Sequence, residues 1–598
     1  MSEGFPPAGR ASTVRTGGDR PIRFRALPLR LVVAGRFGLA TGQLHRLDAD
    51  GAGGLLDRSA PSLSVRVSDR LRADGTDLTV HLRFRHRRDF APGAVAQAVP
   101  DLAKVVAAHA GVRRGQGIAD LQAGLAEFAA LREALDEGGP TPTRPDLPAQ
   151  PRPSATPKPA PGDDSVDRLL DMVDTPSPEA STERDEVART AVSGFIAEVT
   201  RNTVRRQRGG SPPETLEAAL AEQIGAVLSH PDFVALERAW ASLRFLARRI
   251  DMRSGIVVDV VEADSESLAD ALEALVPEDD LDGAGPVRLV VDLNDYDASD
   301  RDVARLRRLA AFGASRRAVV LSNAAPGFCG DDGPQALARM HDPETHFETD
   351  RYAAWRTLRD APEATWLGLC LSRIALRDAV DGKDDKVLRF ARPRRIGHVL
   401  DGGAAPAVAA LVAEAAAATG WACAVGAGTA PAVEDLVLVH DAADGFDGTV
   451  VPAVTASAAD SLASAGLIVL VPERGRDTAR LLHFPTVRRP ARPQDRADET
   501  ATTRLFQAQV VHGLQWNADR IFGSTDPAAL RELVEAYLVA LLSGTGPSAG
   551  AEVRVARDDA DETVLAIHVR SGSAAAPGAS MAFDIPLGPQ ATASDGEP

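Results

Sequence analysis

Only three cysteines, Cys329, Cys370 and Cys423, occur in 598 residues. They are far apart and odd in number, so the sequence encodes neither a disulfide framework nor a CxxC metal spacing. A reducing, cytoplasmic setting is expected. Aromatic residues are scarce, at 4 %. No unbroken apolar run is long enough to cross a bilayer. The Ala-rich stretch 404–424 is interrupted by Glu414 and reads as an ordinary helix, so no membrane insertion is expected. The opening residues MSEGFPPAGRAS lack the apolar centre of a secretory signal. Positive charge is in deficit, with 67 basic against 84 acidic residues and a net charge of -17, which argues against a general nucleic-acid binder. The exception is the N-terminal fifth, where arginines cluster over 15–36 and 83–88. Such clusters suit either an acidic partner or charged strand edges that resist unwanted pairing.

The chemistry of enzymes is also missing. There is no G-x-x-x-x-G-K-[ST] phosphate loop and no H-E-x-x-H pair, and the 12 histidines are scattered without ligand spacing. One G-x-S-x-G occurs, Gly546–Gly550, but it follows a helix and precedes a strand, the reverse of a nucleophile elbow, and reads as a turn. Gly35-Arg36-Phe37-Gly38 lacks the third glycine and the acidic residue of a dinucleotide fingerprint. The acids Asp292, Asp295, Asp297, Asp300 and Asp302 do not follow cation-loop spacing and read as a solvated loop with a helix cap. Cys370, in an apolar strand, reads as core. No catalytic residue, cofactor or metal site is expected, and the chain does not read as an enzyme.

A chain of this length exceeds one core, so several domains are expected. Residues 1–21 have few apolar anchors and read as a disordered tail. Residues 22–39 alternate apolar and basic residues and then run apolar, a strand pattern repeated at 62–67 and 78–84. Helical patterns follow from Asp89, Phe90 and Pro92, with Val95, Val99 and Leu102 on one side, and again over about 118–135. Residues 140–162 contain nine prolines. They predict an extended polyproline linker of about 70 Å at about 3.1 Å per residue. The acidic stretch after it extends the linker to residue 183. A helix over 184–207 opens the second half. The most strongly patterned helix is LSHPDFVALERAWASLRFLARRI (228–250), started by Ser229, Pro231 and Asp232. Its apolar stripe is Phe233, Leu236, Trp240, Leu243, Leu246 and Ile250. Strands at 256–261, 287–293 and 318–322 alternate with helices at 264–275 and 298–313, which predicts a parallel sheet and an α/β fold. Further helices are expected at 349–360, 404–420, 502–523 and 526–543, and strands at 365–371, 422–426 and 433–439. A C-terminal arm is expected from strands at 552–556, 564–570 and 581–585.

Two resemblances emerge from these residues. Pro231, Phe233, Leu236, Trp240 and Leu243 in "HPDF-AL-RAW-SLRFL" look like the N-terminal helix of the large subunit of the type VI secretion contractile sheath. Trp355 on the 349–360 helix, Gly368 in the strand WLGLCL and the following Arg373 resemble a later segment of the same family. So do Gly420-Trp421-Ala422-Cys423, the run AGLIVL at 465–470 and the helix at 505–522. Asp89, Phe90, Pro92, Val95, Gln97, Val99, Pro100 and Leu102 resemble the turn and helix of the sheath's small subunit. The 377–400 stretch departs from the large-subunit pattern.

The resemblance implies a fusion. Residues 22–139 would be small-subunit-like, 140–183 the linker, 184–545 large-subunit-like, and 546–598 a β arm and tail. It also implies a structural role: a helical homopolymer that surrounds an inner tube protein, rests on baseplate components, contracts to drive the tube outward and is recycled by a disassembly AAA+ ATPase. Val553, Val555, Val564 and Ile567 would belong to a strand exchanged between subunits. An enzyme on an α/β core, or a sheath-derived cap or regulator that does not polymerise, are the alternatives left open.

Overall fold

The computed structural model describes residues 13–14, 22–72, 76–116, 125–128, 131–132, 135, 212–277, 284–331, 333–340, 342–377, 400–425, 430–441, 446–492, 495, 499–522, 526–543, 545, 548–557, 563–572 and 576–587. The Pro-rich segment 140–183, the 184–207 helix and most of the 118–135 helix lie outside them.

The fold is α/β and is organised around one seven-stranded sheet. In chain order its strands are β1 (Leu29–Gly35), β2 (His45–Arg46), β3 (Ile256–Glu262), β4 (Val287–Tyr296), β5 (Val319–Ala324), β6 (Leu367–Cys370) and β7 (Leu467–Ile468). In space the order is β7-β6-β5-β4-β1-β3-β2. Every pairing is parallel except that of β2 with β3. The sequence predicts the β3–β4–β5 run as a parallel sheet. It does not reveal that β1, from the small-subunit-like segment, lies between β3 and β4. All seven residues of β1, LRLVVAG, are buried, as befits an inner parallel strand covered on both faces. Val32 and Ala34 share a core with Val290, Leu306, Val320, Leu369 and Trp355.

The residues group into two compact units: 1–65, 79–95 and 227–598 in one, 66–78 and 96–226 in the other. These do not follow a division at the Pro-rich segment, because each draws on both sequence segments. In the smaller unit the helix Pro212–Leu228 contributes Gln223, whose Oε1 accepts the Arg70 N–H at 2.7 Å while its Nε2 donates to the Ser68 carbonyl at 3.1 Å. Nearby, Arg72 bridges Asp69, Asp101 and Glu127.

In the larger unit the patterned helix is α1 (Pro231–Ala247). Its cap is His230, whose Nδ1 accepts the Asp232 N–H, rather than Ser229. Helices α2 (Asp300–Arg316), α3 (Ala405–Thr419), α4 (Ala501–Trp516) and α5 (Pro527–Leu542) follow. The helix expected over 502–523 breaks at Asn517, whose side-chain amide is drawn away to the Arg25 backbone. The strand expected at 422–426 is a 3₁₀ turn, Ala422–Ala424. The strand expected at 433–439 is strand only at its two ends, in Ala432–Val433 and in Val439–Asp441. The helix expected over 349–360 begins as a 3₁₀ turn and is α-helical from Ala353 to Asp360. Thr13–Val14, inside the 1–21 stretch read as a tail, pairs with Ile22–Arg23 just beyond it. The C-terminal residues form an antiparallel meander of β8 (Gly550–Arg557), β9 (Thr563–Arg570) and β10 (Ser580–Pro586), with β9 in the middle.

Candidate functional site

Three features of the larger unit are built in ways that its core alone would not require. The first is the seam along β1. Arg30 and Asp259 are charged residues in neighbouring inner strands, 3 % and 1 % exposed. Burying either alone would be costly, and each supplies the other's counter-charge. Arg30 Nε donates to Asp259 Oδ2 at 2.8 Å, and Arg46 on β2 donates to Asp259 Oδ1 at 2.8 Å. Arg288 on β4 is also buried; it donates to the Pro28 carbonyl and to Gln509 Oε1, both at 2.8 Å. Burial, with no carboxylate partner among the described residues, pushes its pKa down to about 10. Beyond β1, the Phe37 and Leu39 N–H groups donate to Glu262, at 2.7 and 3.1 Å. Trp240 Nε1 on α1 donates to the Phe37 carbonyl at 3.0 Å, with the two rings edge to face at 5.5 Å. Trp516 Nε1 on α4 donates to the Ala26 carbonyl at 2.9 Å.

The second feature is the C-terminal end of the parallel strands, where open α/β sheets usually leave a ligand crevice. Here it is filled. Arg373 donates to Asp401 at 2.6 Å and to Asp295 at 3.1 Å. Arg238 on α1 donates to the Asp401 carbonyl at 2.7 Å and lies 3.5 Å from Asp295. Asn323 caps the end of β5: its Nδ2 donates to the Asp292 carbonyl, and its Oδ1 accepts the Ala405 N–H. A methyl group at Gly403 would fall 2.1 Å from Asn323, so the backbone closes directly onto it. The acids expected as one solvated loop therefore divide by environment. Asp292 is wholly buried and Asp295 is paired, whereas Asp297, Asp300 and Asp302 surround the Ser299 cap of α2.

Burial pushes the Asp292 pKa up to about 6, against its bonds from Asn294 and Ser322. A carboxyl whose folded pKa lies above its unfolded value destabilises the fold above the folded pKa. The penalty is relieved as pH falls through about 6 towards the unfolded value near 3.9. Asp292→Asn is therefore expected to raise the melting temperature at pH 8, and the gain over wild type should shrink by pH 5. Paired thermal melts at the two pH values check this; an equal difference at both would contradict it.

The third feature is the C-terminal meander. Among the described residues, the outer edges of β8 and β10 have no strand partner.

Comparison with known proteins decides what this arrangement belongs to. The family described as "Type VI secretion system, VipA, VC_A0107 or Hcp2" matches residues 25–137. The family described as "EvpB/VC_A0108, tail sheath N-terminal domain" matches residues 214–488. The chain is a fused type VI sheath-family protein.

It is similar to the type VI secretion system sheath protein TssC1 of Pseudomonas aeruginosa, with 27 % identity over 191 residues, which is 29 % of this chain. That match spans 38 % of the relative's length. Among solved structures, a chain of the anti-feeding prophage baseplate is similar at 12 % identity, with a TM-score of 0.35, covering 56 % of this chain and 76 % of that one. No helix among the described residues is long and apolar enough to cross a membrane.

The family-motif residues occupy distinct places in this sheath-family fold. Phe90 stacks on Phe84 at 4.1 Å and meets Phe233 of α1 edge-on at 6.0 Å, so the two motifs converge on one aromatic cluster. Asp89 accepts the N–H groups of Arg85 and His86, both at 2.7 Å, and fixes the turn before Phe90. Pro92 and Pro100 each open a helix, and Gln97 stands exposed. Pro231 opens α1, while Leu236, Trp240 and Leu243 are buried along it. Trp355 packs against Phe328 at 5.0 Å, and Trp421 stacks with Phe506 at 5.7 Å. At Gly368 a Cβ would meet Ile468 Cδ1 at 2.8 Å and Leu321 Cδ2 at 3.0 Å, so a larger residue would require both side-chain ends to shift. Arg373 is the centre of the ion-pair group. Of the residues expected on an exchanged strand, Val553 and Val555 lie on the edge strand β8, and Val564 and Ile567 on the central strand β9. Arg30, Asp259, Arg288 and Asn517 were not singled out from sequence. For the three charged ones the signal was there: Arg30, Asp259 and Arg288 interrupt the apolar runs LRLVVAG, IVVDVVE and VRLVVDL.

Proposed function

We propose that this chain is the protomer of a contractile type VI-like sheath in the cytoplasm. In this reading small-subunit and large-subunit roles are carried in one polypeptide and act mechanically, without catalysis. What carries the reading is that both sheath-family segments occur in one chain and share one sheet, with β1 of the first between β3 and β4 of the second. Fusion would fix their stoichiometry at one to one and hold each at high effective concentration beside the other. Stacked rings would exist in two packings that differ in buried area and charge complementarity, and switching between them would supply the stroke. An inner tube protein inside, a baseplate at one end and a recycling AAA+ ATPase are the partners this role requires. The residues 184–207, an expected contact for such an ATPase, lie outside the described residues.

Polymer contacts would form by strand addition at the β8 edge. Val564 and Ile567 stabilise the meander from its centre, and the edge strand carrying Val553 and Val555 offers its backbone to a neighbour. In an antiparallel ladder consecutive residues point their N–H groups alternately towards and away from the partner strand. One of Arg554→Pro and Val555→Pro therefore removes an outward donor only, and the other breaks the β8–β9 ladder. The outward one is expected to lose most sedimenting polymer while its unfolding midpoint stays near wild type. Full polymer in both variants would contradict strand addition at this edge.

A further inference from the structure

A cavity of about 550 Å³ opens beside the C-terminal end of α1, and five arginines line it: Arg87, Arg244, Arg248, Arg249 and Arg377. That volume is typical of small-molecule sites. Two of the five are engaged by their own chain. Arg377 pairs with Glu237 at 2.9 Å. Arg249 lies over the Phe245 ring at 3.8 Å and donates to the Glu434 carbonyl at 2.7 Å. The side chains of Arg87, Arg244 and Arg248 have no hydrogen bond or ion pair among the described residues. Arg244 is the decisive one, because it is half-buried. Burial, with repulsion from Arg87, Arg248 and Arg377, lowers its pKa to about 10 against the attraction of Glu237. The other acids facing the cavity, Glu414, Glu434 and Asp435, are exposed at its rim. A fold does not ordinarily gather three uncompensated guanidiniums around one concavity. Arg244 carries a desolvation and repulsion cost among them that a bound anion would offset.

We infer that this cavity binds a polyvalent phosphate group, held by Arg244 with Arg87 and Arg248. Guanidinium forks match phosphate oxygens in pairs, and three free forks exceed what a single carboxylate, with two oxygens and one charge, can satisfy. The phosphate can come from an inorganic chain or from a nucleotide, and both present the same oxygens. The site does not depend on the sheath role. Arg87 belongs to the VipA-family segment and Arg244 to the sheath segment, so a bound phosphate would tie the two together.

The test uses the full chain at constant ionic strength, with tripolyphosphate, ATP and adenosine as probes, read by thermal shift and calorimetry. Tripolyphosphate and ATP are expected to raise the melting temperature and adenosine to leave it unchanged. Arg244→Gln and Arg248→Gln are each expected to weaken tripolyphosphate at least tenfold. Arg244→Gln is expected to melt no lower than wild type without ligand, since it removes a desolvated cation. Arg248→Gln, at an exposed position, serves should Arg244→Gln fail to fold. A tripolyphosphate shift no larger than that of sodium chloride at the same ionic strength would overturn the site. So would an unchanged affinity in both variants. A loss of assembly in Arg244→Gln with no phosphate binding by wild type would overturn it in favour of an acidic protein segment.

Discussion

Residues 212–598 produced without residues 1–139 are expected to be recovered only as aggregate. Supplying residues 1–139 in trans is expected to return them to solution as a complex. The reason lies in the place of β1, since all seven of its residues are buried between β3 and β4. Removing it opens two inner edges of a parallel sheet, each a template for pairing with another chain. It also exposes the core that received Leu29, Leu31, Val32 and Val33. At roughly 1.5–3 kcal/mol per large apolar side chain, the loss is on the order of 10 kcal/mol, comparable to the whole net stability of an ordinary domain. Solubility by fractionation and a cooperative melt read the result. A soluble, cooperatively melting 212–598 fragment would show that the sheet does not need β1.

Asp259→Ala is expected to cost about 3–5 kcal/mol, the typical penalty for stripping the partner from a buried charge. It takes the Asp259 carboxylate from the Arg30 guanidinium, which is 3 % exposed near the start of β1 and also donates to the Gly285 carbonyl at 3.1 Å. Arg46→Ala, at the half-exposed end of the same group, is expected to cost about 1 kcal/mol or less, as surface pairs do. Replacing both buried partners, Arg30→Met with Asp259→Leu, is expected to restore most of the loss, because packed apolar residues tolerate that site better than an unpaired ion. Chemical denaturation of the three variants separates these outcomes. Equal costs for Asp259→Ala and Arg46→Ala would refute the view that the buried pair locks β1 into the sheet.

Much of this architecture was legible in the sequence. The α1 stripe of Phe233, Leu236, Trp240 and Leu243 has helical spacing and is buried on that face. The β3–β4–β5 alternation is parallel, and the C-terminal strands form an antiparallel sheet. The place of β1 was not legible, because periodicity reports burial and says nothing about which neighbours a strand takes across the 140–183 stretch. Asp292 and Asp295 were misread for a related reason. Polar spacing suggested a loop, whereas the β4 strand carries both acids to the end of the sheet, where Asn294, Ser322 and Arg373 satisfy them. The lone charges within the apolar runs, Arg30, Asp259 and Arg288, were the overlooked signal. A buried charge implies a partner, and Arg30 and Asp259, in the adjacent strands β1 and β3, have opposite sign. The cavity arginines are scattered along the sequence, at 87, 244, 248, 249 and 377, and only the fold brings them to one cavity.

Negative-stain microscopy of the purified full-length chain, across low and high salt and with an inner tube protein added, tests the sheath role most directly. Hollow tubules or cogwheel-shaped rings are expected, built from one polypeptide species. A uniform small particle under every condition would contradict the role of a self-assembling sheath protomer.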